Sequence, residues 1–247
     1  FRWQPSAENW YFISVTYKSS DVPGRTVGRR TVGAGPFISL HVDDQFVEDS
    51  TTGSPIHGPA ITFDSPRIGA WVNGNGVQRS MDGQLSVFRI WSIETDGRDM
   101  CAAAADVGGG LQLSLILSDT GDTVHDISGK GNNGHVHDAE WSDDTPPYDP
   151  NLCLLFDLTH SAEMSSRNFD GSSDYIYFSR PLGTYDVVTI DTWIKWHSTQ
   201  GNHPIMNEDN WNVGDLHYQI YASQFGFDVH GRGGDSGDTG DYTFRWQ

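Results

Sequence analysis

The side chains best able to do chemistry in this chain are carboxylates. Acidic residues outnumber basic ones 33 to 15, for a formal charge of -18. Most are Asp beside Gly, Asn or Ser, a placement that suits oxygen-ligand calcium sites and equally suits turn caps bonded to local backbone amides. The run Asp235-Ser-Gly-Asp-Thr-Gly-Asp241 sets acids at every third position, without the spacing of an EF-hand loop or a calcium β-roll, and reads as a solvated loop. In Asn207-Glu-Asp-Asn-Trp-Asn212, Trp211 stands among Asn207, Asp209 and Asn212. An aromatic platform flanked by such groups can hold a sugar, and the same string also serves as a polar loop with one Trp anchor.

Several chemistries lack their residues. The ExDxxE string of strand-borne glycosidases does not occur, nor does a GxSxG elbow or a phosphate-binding loop, so the expectation is a protein without catalytic activity. Two cysteines, Cys101 and Cys153, form no CxxC pair, and ten scattered histidines do not supply a zinc pattern. An exported protein tends to oxidise its only thiol pair, which predicts a Cys101–Cys153 disulfide. The negative charge repels phosphate backbones and excludes nucleic acid as a partner. No apolar run approaches the roughly 20 residues of a membrane span, so no membrane insertion is expected. The sequence opens on Phe-Arg-Trp-Gln without a signal peptide, and any export signal is expected to lie outside it.

The elements that must position these groups are strands. Tyr11, Ile13, Val15 and Tyr17 recur at every second position and so share one strand face, as do Ile38, Leu40 and Val42, and Val188, Ile190, Thr192 and Ile194, a pattern of half-buried antiparallel strands. Further strands are predicted over 67–71, 85–91, 175–178, 216–222 and 225–229, separated by Gly, Asn, Asp and Pro turns. One short helix is predicted near 97–107, where Met100 and Ala102 to Ala105 precede three glycines. Trp10, Trp91 and Trp193 are expected to fill the core between two sheets. The tetrapeptide Phe1-Arg-Trp-Gln4 recurs as Phe244-Arg-Trp-Gln247, which suggests one unit of a repeat about 240 residues long.

Taken cyclically, the motifs form a familiar series. Asp126-Ile-Ser-Gly-Lys-Gly-Asn-Asn-Gly134, then Asn168-Phe-Asp-Gly-Ser-Ser-Asp-Tyr-Ile176, then Thr189-Ile-Asp-Thr-Trp-Ile-Lys195 are followed by Asn9-Trp-Tyr-Phe-Ile-Ser-Val-Thr-Tyr17 and His41-Val-Asp-Asp44. Pro66-Arg-Ile-Gly69 and Met81-Asp-Gly-Gln-Leu-Ser-Val-Phe-Arg-Ile-Trp91 complete the order. The series resembles laminin-G-like (pentraxin- and concanavalin-like) jelly-roll domains in circularly permuted order. It departs from them at Asp44, where the family hairpin has Gly, and at Ser86 and Phe88, where the family has an acidic pair.

The resemblance implies an all-β, two-sheet antiparallel jelly-roll sandwich. Residues 1–112 correspond to its C-terminal half and 113–247 to its N-terminal half, the halves joining in cis or with neighbouring copies. It further implies a structural calcium, Ca2+, held by Asp126, Asn132, Asp170 and Asp174, with Asp82 nearby. The expected function is a calcium-supported extracellular or cell-surface assembly module. Its partners are copies of itself in a head-to-tail fibre or tandem array, with Phe1, Trp3, Phe244 and Trp246 at the seam. The alternative is a lectin-like module that binds glycans.

Overall fold

The computed structural model describes residues 3, 5–19, 25–27, 30–32, 37–43, 45–50, 59–95, 110–147, 165–208, 216–221, 224–229 and 242–246. Strands are numbered in chain order. The first sheet has eight, with β14 (Glu140–Ser142), β15 (Ser166–Asp170), β10 (Asp82–Trp91), β18 (Val187–Trp196), β1 (Trp10–Lys18), β4 (Phe37–Val42) and β5 (Gln45–Ser50) side by side. Its eighth strand, β11 (Leu111–Ile116), pairs with the end of β10. The second sheet is also eight-stranded, in the order β12 (Thr123–Val124), β13 (Gly134–His137), β16 (Tyr175–Phe178), β7 (Arg67–Ile68), β19 (Asn202–Asn207), β20 (Leu216–Tyr221), β21 (Gln224–Val229) and β22 (Tyr242–Trp246). Three two-stranded pieces complete the strands: β6 (Ile61–Phe63) with β17 (Gly183–Tyr185), β2 (Arg25–Val27) with β3 (Arg30–Val32), and the hairpin of β8 (Ala70–Asn73) and β9 (Gly76–Ser80).

Every pairing among the described strands is antiparallel, and these residues contain no helix. The helix predicted near 97–107 lies outside the described residues. The run predicted over 67–71 divides at Gly69 into β7 and β8.

The alternation read from the sequence sets one face of each strand. Ile13, Val15 and Tyr17 on β1, Ile38 and Leu40 on β4, and Val188, Ile190 and Ile194 on β18 are fully buried in one cluster. From the second sheet Ile68, Ile176, Met206, Tyr218 and Phe227 join the same cluster, and Tyr17 stacks on Phe227 with ring centroids 6.3 Å apart. The two sheets thus pack face to face in a sandwich-like arrangement. At about 25 cal/mol per Å2 of apolar surface, burying a side chain such as Phe88 or Ile190 contributes about 1.5–3 kcal/mol. β18, from the later half of the sequence, lies between β10 and β1 from the earlier half.

The tryptophan expectation needs correction. Trp193 and Trp10 sit with Phe12 and Val87 in a separate cluster on the opposite face of the first sheet, and Trp91 belongs to neither cluster. Strand parity explains this: Trp193 is two residues from Asp191, whereas the core-facing positions of β18 are Val188, Ile190 and Ile194. The large indole between the sheets is Trp196 instead.

That opposite face is buried although it is polar. Ser14, Thr16, Arg89, Thr189 and Asp191 expose 5% or less of their surface. Residues 92–95 and 143–147 run over part of it. Thr189 Oγ1 donates to the Ile93 carbonyl at 2.8 Å, and Trp10 Nε1 donates to Asp144 Oδ1 at 3.2 Å.

Candidate functional site

Two acidic turns carry the residues predicted to hold calcium, and the fold separates them. Asp126 and Asn132 lie in the loop entering β13 at Gly134, which pairs with Phe178 at the far end of β16. Asp174 immediately precedes Tyr175, the residue paired with His137 at the other end. Three residue steps at about 3.3 Å each put roughly 10 Å of strand between the two turns. One ion cannot take ligands from both.

In the first turn the Asp126 carboxylate is engaged on both oxygens. Oδ1 accepts the backbone N–H groups of Ser114 at 3.0 Å and Ser128 at 2.9 Å. Oδ2 accepts the Asn132 N–H at 2.8 Å and the Ser128 hydroxyl at 2.8 Å. The Asn132 side chain donates to the Gln112 carbonyl at 3.1 Å, and its oxygen accepts from Arg180 Nε at 2.9 Å. Such an arrangement caps a turn with charge-assisted bonds and ties it to β11.

The second turn gathers carboxylates. Asp82 and Asp170 are register partners across β10 and β15, and Asp174 Oδ2 accepts the Asp170 N–H at 2.7 Å. Asp170 Oδ1 in turn accepts the Ser172 N–H at 2.7 Å. Asp174 is 4% exposed, and burial pushes its carboxyl up from the ordinary Asp range. The Asp170 amide opposes that shift, while the charges of Asp170 and Asp138 add to it. The Asp82 strand is fixed from behind, where His203 Nδ1 accepts the Asp82 N–H at 3.2 Å. Among the described residues no three His, Cys, Asp or Glu side chains form a ready metal-holding group. The second turn thus brings acidic residues of β10, β15 and the turn before β16 near one another without forming a closed ligand set.

Of the predicted sugar platform, Trp211, Asp209 and Asn212 lie outside the described residues. Asn207 ends β19, is 1% exposed and accepts the Tyr218 N–H at 3.2 Å, while its Nδ2 finds no partner within the described residues. Cys101, Cys153 and Phe1 also lie outside the described residues. Trp3 packs edge-on against Tyr11, centroids 5.5 Å apart, at the margin of the main core. Phe244 and Trp246 belong to β22, the last strand of the second sheet, in register with Phe227 and Phe225.

Sequence reasoning missed a polar network on the outer face of the first sheet. The fully buried Asp191 carboxylate accepts from Arg89 Nε and Trp91 Nε1, each at 2.6 Å. Burial pushes this carboxyl up and the Arg89 charge pulls it back. Nearby, Lys195 Nζ pairs with Asp144 and lies 3.8 Å from Glu8 Oε2, and His197 Nδ1 is 3.0 Å from Glu8 Oε1. Burial also raises Asp144, but its bonds from Lys195 and Trp10 prevail and hold it below the usual range. Asp191 and Arg89 occupy non-core positions of the long strands β18 and β10, and parity alone does not show that this face is buried. The departures at Ser86 and Phe88 are structural, since Phe88 enters the core and the Ser86 hydroxyl donates to the Ser165 carbonyl at 2.8 Å.

Among the described residues these features define an antiparallel all-β architecture of sandwich-like build. Searches of family models, of curated proteins and of solved structures found no match to the chain.

Proposed function

We propose that this chain is a non-catalytic extracellular assembly module. Its sandwich is a laminin-G-like jelly roll in permuted order, and copies join head to tail in a fibre or tandem array. The carrying observation is the setting of the recurring tetrapeptide. Its second copy contributes Phe244, Arg245 and Trp246 to β22, where the second sheet's order ends among the described strands. A terminal strand offers unpaired backbone groups to another chain, and a heterologous contact of that kind propagates instead of closing. In the first copy Trp3 packs on Tyr11 beside β1, so the same short string has surfaces to meet at two separate places on the unit. The side-by-side order β10, β18, β1, β4 supports the jelly-roll reading, because it joins the family-like strands across the permuted seam.

Calcium in this reading belongs to the second acidic turn, with Asp82, Asp170 and Asp174 as oxygen donors suited to a hard cation. Asp126 and Asn132 act as turn caps. A lectin-like second reading draws on Asn207, whose buried Nδ2 lacks a partner among the described residues and which precedes Trp211 by four positions in the sequence.

The test is the assembly state. Sedimentation and negative-stain microscopy at micromolar concentration should show oligomers or filaments. Arg245→Pro, which removes a backbone donor from β22 opposite Gly226, should reduce them. A monodisperse monomer for the unaltered chain would overturn the proposal.

A further inference from the structure

The dipeptide Asn-Gly occurs three times, at Asn73-Gly74, Asn75-Gly76 and Asn133-Gly134, and the fold gives each a different setting. We infer that Asn73 is a site of spontaneous covalent modification, where the Gly74 backbone nitrogen attacks the Asn73 side chain and converts it to an aspartyl or isoaspartyl residue.

The chemistry needs a glycine nitrogen free to approach the preceding side-chain carbonyl carbon. Hydroxide removes the Gly74 amide proton, the nitrogen bonds to Asn73 Cγ, and the Cγ–Nδ2 bond breaks as ammonia leaves with a proton from water. The resulting five-membered succinimide adds water at either carbonyl. Attack at one side regenerates the normal peptide link with a side-chain carboxylate. Attack at the other routes the main chain through the former side chain and adds one methylene to it. The net change is water in and ammonia out, with no oxidant or cofactor.

The β8–β9 hairpin presents these groups. Gly74 and Asn75 form its two-residue turn, and both are exposed. A Cβ built on Gly74 would meet no atom within 4 Å, so no other part of the fold crowds the turn at this residue. Asn73 Oδ1 accepts the Asn75 N–H at 2.9 Å, which folds the Asn73 side chain over the intervening Gly74 and polarises the carbonyl under attack.

The other two pairs are held back in different degrees. Asn75 is exposed, but its nucleophile would be Gly76, a strand residue paired with Asn73 in the ladder. Asn133 is anchored, since its Oδ1 accepts the Asp126 N–H at 3.0 Å. Gly134 is buried between β12 and β16, where even a Cβ would come within 2.6 Å of Ile176 Cγ2. The expected order of conversion is Asn73, then Asn75, then Asn133.

The experiment incubates the folded full-length chain at mildly alkaline pH in 18O-labelled water and maps peptides by mass spectrometry, with isoaspartyl groups detected by enzymatic methyl transfer. Asn73 should convert more than about ten-fold faster than Asn133, which must wait for local opening of the β12–β13–β16 ladder. In denaturant the three pairs should converge to similar rates. Gly74→Ala should slow conversion at Asn73 and leave Asn133 unchanged, and Asn73→Gln should remove the leading product. Equal rates at Asn73 and Asn133 in the folded chain would overturn the inference. So would an Asn73 that stays intact in the folded chain while it converts in denaturant.

Discussion

The two acidic turns read alike in sequence and differ in physics. Asp126-Ile-Ser-Gly and Asp170-Gly-Ser-Ser-Asp174 both join Asp to Gly and Ser, and both suggest calcium ligands. Around Asp126 the chain supplies three backbone amides and a hydroxyl, so both carboxylate oxygens are met by donors. Around Asp174 it supplies a single amide bond and further negative charge, from Asp170 and Asp138. A carboxylate met by donors is a structural cap, while one buried beside other carboxylates holds its proton more tightly.

The comparison breaks most directly at Asp126. Asp126→Ala should leave the amides of Ser114, Ser128 and Asn132 without their acceptor and cost about 2–4 kcal/mol, measured by urea denaturation. Added calcium should not restore the loss. A cost below about 1 kcal/mol would mean that water replaces the carboxylate with little penalty, and the cap reading would fall.

A glycine exchange sharpens the contrast at smaller amplitude. Gly129 (φ +81°) and Gly171 (φ +80°) both adopt left-handed backbone, which a residue such as Ala enters at about 1–2 kcal/mol. At Gly129 a Cβ would meet no atom within 4 Å, so Gly129→Ala should show that conformational cost alone, about 1 kcal/mol. At Gly171 the new Cβ would stand 3.3 Å from Asp82 Cβ, pressing on the partner strand of the acidic turn. Gly171→Ala should therefore cost about 2 kcal/mol in the same assay. Equal effects would show that Asp82 yields freely.

What the sequence makes legible follows from how far each signal reaches. Period-two alternation is local, so it alone places Ile13, Val15 and Tyr17, and Val188, Ile190 and Ile194, on a core face, where the fold buries them. The same alternation misleads at Ser14, Thr16 and Asp191. A polar residue between apolar ones reads as solvent-facing, yet chain from 92–95 and 143–147 overlies part of that face. The acidic turns are visible as motifs, but their environments depend on partners distant in sequence: Ser114 for Asp126, and Asp82 across the sheet for Asp170. Asp191 escapes a sequence reading because its partners Arg89 and Trp91 lie about 100 residues away and on another strand. The three Asn-Gly pairs are equally visible in the sequence, and only the hairpin and the buried ladder tell them apart.

The smallest expected effect is also the most specific, because it distinguishes a cation site from a crowded turn. Asp174 has its folded-state carboxyl raised above the unfolded value, so the native state binds this proton more tightly. Its stabilising contribution is complete below the unfolded Asp range and is lost as pH rises through the folded value. At neutral pH the ionised group therefore weakens the fold. Asp174→Asn keeps an oxygen to accept the Asp170 amide and removes the charge, so it should stabilise the chain by up to about 1 kcal/mol at neutral pH. Near the bottom of the Asp range, where the native carboxyl is protonated, the two proteins should melt alike. Millimolar calcium should raise the melting temperature of the unaltered chain, and Asp174→Asn should abolish most of that rise, because a ligand bound only to the folded state stabilises it by mass action. If calcium and chelator leave both melting temperatures unchanged while the pH-dependent gap persists, the turn is strained by charge and holds no calcium.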